Sequence, residues 1–223
     1  MLNTRDILEL KSLGKGLDTD TTFLVAINAF AAASQIEKIN ILVQKRMIEL
    51  FCFDSISEQV LFAEKARESL LKSLSIIGTP KALNAIDAVC TGVGKKVKDA
   101  ISSKPLRGDE IKDYDKMFLR GKALFDELYD KQGKFKLILI YYSFKNYPDV
   151  TNLVLTDFYG KLMAEERILN RIDTELCFIG ALVPLNVPLQ LKSHTLGAAR
   201  FGASELAINA ALKIAKLIVT KHM

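Results

Sequence analysis

The 223 residues predict an all-α fold, a helical bundle of about ten helices in one domain. Three observations predict it. Apolar residues recur at steps of three and four along most of the chain, the spacing of one helix face. Helix-capping residues and a Gly-then-Pro punctuation bracket these runs. Only one run, FKLILIYYSF, is compatible with a buried strand, and no second such run exists to pair with it, so it too reads as helix.

In chain order, the residues from Asp18 to Thr22 offer several N-caps for TTFLVAINAFAAASQ. The stretch from Ile36 to Phe51 reads as the next helix. The segment FDSISEQ supplies Asp54, Ser55 and Ser57 as caps, and Glu58 follows Ser55 at capping-box spacing. The helix VLFAEKARESLLKSLSII stops at Gly78, and Pro80 opens its successor. The polar segment from Ser102 to Asp109 is the best boundary between two halves, about 1–103 and 109–223, and reads as a connection inside one bundle. Helix resumes over GDEIKDYDKMFLRGKALFDELY and stops at Gly133. Pro148 opens PDVTNLVLTDFYGKLM, with Asp149 in its positive first turn. Asp173 is the expected cap of the next helix. Asn186-Val187-Pro188 reverses the chain, Gly202 closes the following helix and Ser204 caps ELAINAALKIAKLIV. Each half ends in a helix pair, a short Gly-containing turn and a capped amphipathic helix, an arrangement that fits two related halves.

Composition narrows the function. A net charge of +5 suits an anionic small molecule, but lysines are dispersed among acids and no Arg-rich run or RNA-binding aromatic motif is present, which argues against nucleic acid. The longest charge-free apolar stretch, from Leu176 to Leu191, is short and carries Pro184 and Pro188, so no membrane span is expected. Cys52, Cys90 and Cys177 lie far apart and read as buried small residues, and with two histidines no metal site is expected.

One segment combines core character with proton chemistry. ELCFIGALVPLNVPLQLKSHTLGAARFGAS holds Glu175 and His194 among apolar and small residues. In a hairpin turning at Asn186 the two lie roughly 15 Å before and 10 Å after the corner, heights at which antiparallel helices bring side chains together. Val187, Gln190 and His194 share one face, which makes Gln190 the neighbour of His194 one turn away. Leu191, Ala198 and Phe201 lie near that stripe as an apolar wall. A sheltered Glu–His pair can pass a proton near neutral pH, as general acid–base chemistry requires. The same pair can also be a self-satisfied polar contact in a helical core.

The segment resembles the core of the carboxymuconolactone decarboxylase family, within the AhpD-like superfamily. In that family a Glu near the start of one helix is followed nineteen residues later by a His with small residues and Gly after it, a spacing that Glu175 and His194 keep. LKSHTLGAARFGAS resembles the family's His-x-x-x-Ala stretch ending in Gly and a capping hydroxyl. Upstream, Pro148, Asp149, Tyr159 and Gly160 resemble one family element, and Gly78, Pro80, Ala82, Asn84 and Ala85 another. The resemblance covers 58–88 and 147–216. Where the peroxidase branch has its Cys pair, this chain has Val187 and Gln190, so thiol-based peroxide reduction is not expected.

The resemblance implies a cofactor-free lyase acting on a small organic acid or lactone. Glu175 and His194 would move protons, Gln190 would hydrogen-bond a developing oxyanion, and Tyr159 would line the pocket. The competing reading is a non-catalytic binding or scaffold protein with the same fold. The whole chain resembles the fungal peroxisomal branch that lacks the Cys pair. Lys221-His222-Met223 approaches the small–basic–apolar peroxisomal tripeptide, which implies an import receptor as partner and the peroxisomal matrix, otherwise the cytoplasm, as location. The family's helical assemblies and the apolar run ILIYY imply a homodimer.

Overall fold

Capping chemistry sets the helix boundaries. The computed structural model describes residues 2–51, 56–129 and 146–222. They form eleven α-helices: α1 (Thr4–Leu13), α2 (Thr19–Ala32), α3 (Ile36–Phe51), α4 (Ile56–Ile77), α5 (Thr79–Gly92), α6 (Lys95–Ala100), α7 (Tyr114–Tyr129), α8 (Pro148–Asn152), α9 (Arg171–Leu185), α10 (Pro188–Arg200) and α11 (Glu205–His222). A 3₁₀ turn (Asp109–Lys112) precedes α7, and a π-helix (Leu153–Met163) continues α8. The architecture is all-α, with no strand among the described residues. The run FKLILIYYSF with its ILIYY core, Gly133, Cys52, and the proposed caps Asp54 and Ser55 lie outside the described residues.

Several expected caps are used, and the first helix, which was not anticipated, has one of its own. Asn3 and Asp6 close a reciprocal capping box on α1. The Asp18 carboxylate accepts from the Thr21 amide at 2.8 Å to start α2. Gly78, at φ +84°, joins α4 to α5, and Pro80 lies in the first turn of α5. Asp173 is not the cap of α9. Asn170 is, its side-chain oxygen accepting from the Asp173 amide at 2.8 Å. The Asp173 carboxylate instead accepts from the Thr21 hydroxyl at 3.0 Å and the Asn170 amide at 2.9 Å, tying α9 to the start of α2.

Helices α2 and α9 form the centre. Every residue of α2 from Thr21 to Ala32 and of α9 from Thr174 to Leu182 is buried. A helix that is apolar all round must be enclosed by its neighbours. α9 packs on α2, α4, α10 and α11. Its residues Leu176, Cys177 and Ile179 enter the large apolar core shared by α1–α6 and α11. Phe178 and Leu182 enter a second cluster with α7 and the π-helix. The large core draws on residues from both sides of the connection 102–109. That connection is pinned: Arg107 pairs with Glu68 through two bonds of 2.5 and 3.2 Å and donates to the Lys161 and Leu162 carbonyls.

The core also buries polar groups, and among the described residues Thr156 Oγ1 is the one buried side-chain oxygen left without a hydrogen-bond partner. Asn28 donates to the Leu24 carbonyl and the Ser69 hydroxyl and accepts from Ser73 at 2.6 Å. Lys72, fully buried, donates to the Leu169 carbonyl at 2.9 Å and the Thr174 hydroxyl at 3.0 Å. Desolvation lowers its ammonium to about 8 against 10.5 in the unfolded chain, with nearby Glu68 opposing the shift. Between those values the unfolded chain binds more protons than the folded one, so stability rises with pH there. The contribution is complete above 10.5 and is lost as pH falls through about 8. Compared with Lys72→Met, the native chain is expected to gain about 3 kcal/mol across that window. Urea denaturation at each pH measures it, and parallel pH profiles for the two chains would refute it.

Candidate functional site

The αL corner at Asn186 (φ 53°, ψ 49°) ends α9, and Pro188 starts α10, so the two helices run back past each other. Glu175 lies in the second turn of α9 and His194 midway along α10. Both are buried, with relative exposures of 1% and 6%. Their side chains meet: His194 Nδ1 and Glu175 Oε2 are 2.7 Å apart. No described residue bonds the other ring nitrogen, Nε2.

Aromatic rings flank the pair. The Phe178 ring meets the His194 ring edge-on at 5.3 Å, and the Tyr129 ring stands 6.4 Å away. Gly197, one turn beyond His194, lies close to the Leu128 side chain, which would have to shift for a larger residue. A Cβ there would lie 2.0 Å from Leu128 Cδ1 and 3.4 Å from Glu175 Oε2. Tyr159 is buried in the π-helix and donates from its hydroxyl to the Tyr129 hydroxyl at 3.1 Å. Burial pushes the Tyr129 phenol up to about 12, opposed by the Tyr159 bond and helped by the nearby Glu175 charge. Tyr159 is raised further by the same burial. Both phenols therefore hold their protons at neutral pH, and Tyr129, already accepting from Tyr159, has its own hydroxyl proton to donate.

Beside Tyr129 a cavity of about 190 Å³ opens, lined also by Lys192, Ser193, Leu196 and Arg200. Arg200 donates to the Leu128 carbonyl at 2.5 Å. No carboxylate among the described residues pairs with Arg200 or Lys192. The lining thus brings two cations and a neutral phenol around a small hollow, together with Ser193, the neighbour of His194 in the chain.

Of the residues expected from the sequence, the structure brings Glu175 and His194 into contact. Tyr159 stands behind Tyr129, one link from the histidine. Gln190 is exposed in the first turn of α10, and its side chain makes no hydrogen bond to a described residue. The buried face of α10 comprises Ser193, His194, Gly197 and Ala198, with Leu191 and Phe201 half-buried at its margin. Tyr129, Lys192 and Arg200 were not anticipated. Lys192, Leu196 and Arg200 do recur at helical steps of four, which marks one face. Cys177 lies in the large core, and burial pushes its thiol well above the usual range, which makes it a poor nucleophile. No group of three or more His, Cys, Asp or Glu among the described residues is arranged to hold a metal ion. No described helix is long and apolar enough to cross a membrane. The C-terminal Lys221 pairs with Glu9 of α1, and α11 stays helical through His222, while Met223 lies outside the described residues.

No family model and no solved structure matches the chain. Two relatives do. The chain is 26% identical over 199 residues to Peroxisomal protein 2 of Schizosaccharomyces pombe, across 89% of this chain and 85% of the relative. It is 27% identical over 173 residues to Peroxisomal protein 2 of Saccharomyces cerevisiae, across 69% of this chain and 60% of the relative. The similarity is thus to a group of fungal peroxisomal proteins, and both relatives support a peroxisomal localisation for this chain.

Proposed function

We propose that the protein is a cofactor-free acid–base enzyme, a lyase of the carboxymuconolactone decarboxylase type, acting on a small carboxylate or lactone. The observation that carries this reading is the buried 2.7 Å contact between His194 Nδ1 and Glu175 Oε2. An ionised Glu175 accepts the Nδ1 proton and so fixes the tautomer in which Nε2 is the free base. Nε2 takes up a proton from solvent, Glu175 balances the imidazolium, and, as the bond between the substrate carbon and its carboxylate breaks, that electron pair moves toward a conjugated substrate carbonyl. Tyr129 donates its hydroxyl proton as a hydrogen bond to the developing oxyanion. Carbon dioxide leaves, and the imidazolium gives its proton to the carbanion, which restores the neutral imidazole. Lys192 and Arg200 hold the substrate carboxylate. The cavity is smaller than the roughly 300–1,000 Å³ common for drug-sized ligands, which favours a compact acid.

One observation favours a second reading. His194 itself does not line the cavity. A non-catalytic peroxisomal binding protein would keep the cations and the hollow and use the Glu–His pair only as a core contact.

A thermal-shift and turnover screen with small organic acids and lactones on the native chain and on His194→Ala separates the two. The enzyme reading expects a stabilising ligand that is consumed by the native chain, and a folded His194→Ala whose turnover falls by about 10²–10⁴. A variant with undiminished turnover, or a ligand that both chains bind and neither consumes, would overturn it. We further propose delivery to the matrix through Lys221, His222 and Met223. Receptor docking of this tail breaks the Lys221–Glu9 pair. Removing the three residues should leave the chain outside peroxisomes, and unchanged import would refute the proposal.

A further inference from the structure

A larger hollow lies elsewhere and shares no lining residue with the one beside Tyr129. Glu64, Arg67, Glu68 and Leu71 stand at helical steps on one face of α4, and the connection from Ser102 to Arg107 faces them across a cavity of about 780 Å³. Its volume lies within the range of small-molecule sites.

The charges at this cavity divide into two sets. Glu68 and Arg107 neutralise each other and are nearly buried. Arg167 is held by Glu165 at 2.7 Å. Arg67 and Lys104 meet no carboxylate among the described residues, and Glu64 is the one lining acid without a cation at ion-pair distance among them. The uncommitted charge is therefore positive: two cations against one carboxylate. Between these groups the lining is apolar. Leu71, Ile86, Leu106, Ile111 and Ile168 are all half-buried, and of the five Ile86 also packs against the large core. Apolar side chains converging on a concave surface favour an occupant that removes them from water, at about 25 cal/mol per Å² covered.

We infer that this cavity is a binding site for an amphipathic carboxylate, whose apolar body lies on Leu71, Ile86, Leu106, Ile111 and Ile168 and whose anionic head meets Arg67 and Lys104. Both halves of the ligand are needed. A short anion leaves the apolar lining wet, and a neutral chain leaves the cations without a counter-charge. Glu64 sets the polarity, since it repels a second anionic group and so favours a monoanion. The site is independent of the proton chemistry proposed at His194.

Calorimetric titration of the full chain with octanoate, octanol and acetate tests the inference. Octanoate should bind more tightly than either of the others, with a negative heat-capacity change from apolar burial. The double variant Arg67→Glu, Lys104→Glu should weaken octanoate by about tenfold or more, the loss expected from two charge-assisted contacts. Lys213→Glu, at an exposed cation that lines neither cavity, should leave octanoate affinity unchanged. Absence of octanoate binding, octanol binding as tightly as octanoate, undiminished affinity in the double variant, or an equal loss in Lys213→Glu would each overturn the proposal. If the double variant fails to fold, the comparison of octanoate with octanol on the native chain still decides.

Discussion

Gly121→Ala is expected to destabilise the chain by about 3 kcal/mol or more, beyond the ordinary cost of overpacking. Gly121 on α7 faces the π-helix so closely that an added Cβ would lie 1.8 Å from the Leu155 carbonyl oxygen and 2.7 Å from the Gly160 amide nitrogen. Gly160 returns the contact, its own Cβ position lying 2.1 Å from the Met117 carbonyl oxygen. These are backbone atoms, so no rotamer change relieves the clash. The two elements must separate by more than an ångström, and with them the cluster of Phe125, Leu128, Tyr159 and Met163. Alanine's better helix propensity returns only about 1 kcal/mol. Chemical denaturation should show a lower midpoint at an unchanged slope. A variant as stable as the native chain would mean that α7 and the π-helix do not meet at these glycines.

Glu68→Ala is expected to cost about 3–5 kcal/mol, because it leaves the guanidinium of Arg107 nearly buried with no carboxylate. The side chains of the pair are 10% and 6% exposed, and the bond is bidentate. The two carbonyls that Arg107 also meets supply hydrogen bonds but no charge. Removing both partners with Glu68→Met and Arg107→Met should recover much of the loss, since the penalty belongs to the unpaired charge and not to the missing pair. The double-mutant cycle reads this coupling. Additive single losses would show that the two groups are independently solvated. Because Glu68 and Arg107 also border the larger cavity, the same variants should be checked for octanoate affinity before any binding change is assigned to Arg67.

Much of the helical order was legible because its signals are local. Gly78 with Pro80, the αL asparagine at 186, and Gly202 followed by Ser204 act through neighbouring backbone groups, and the structure uses them as read. The Glu175–His194 contact was legible for a related reason: one tight corner between two helices fixes which heights meet. Asp173 was misread because Asn170 and Asp173 are both good caps. Tertiary structure chose between them by giving the Asp173 carboxylate to Thr21. Gln190 shows the limit of helical phase. It shares a face with His194, but one turn nearer the corner that face is open to solvent. Tyr129 was invisible because it arrives from α7 through packing, and nothing in its local sequence points to α10. The π-helix was read as ordinary helix, since periodicity does not distinguish a wider turn over so few residues.

The position of α9 between two apolar clusters has a kinetic consequence. Glu175 and His194 are fastened to the larger cluster through Leu176, Cys177 and Ala198, whereas Phe178 and Tyr129, which shelter them, pack with the smaller one. Sub-global opening that releases α7 and the π-helix as one cooperative unit would therefore unroof the imidazole without separating it from its carboxylate. The Glu–His pair would remain assembled while the molecule breathes, and exchange of small solutes with the interior would be timed by the opening of the outer layer.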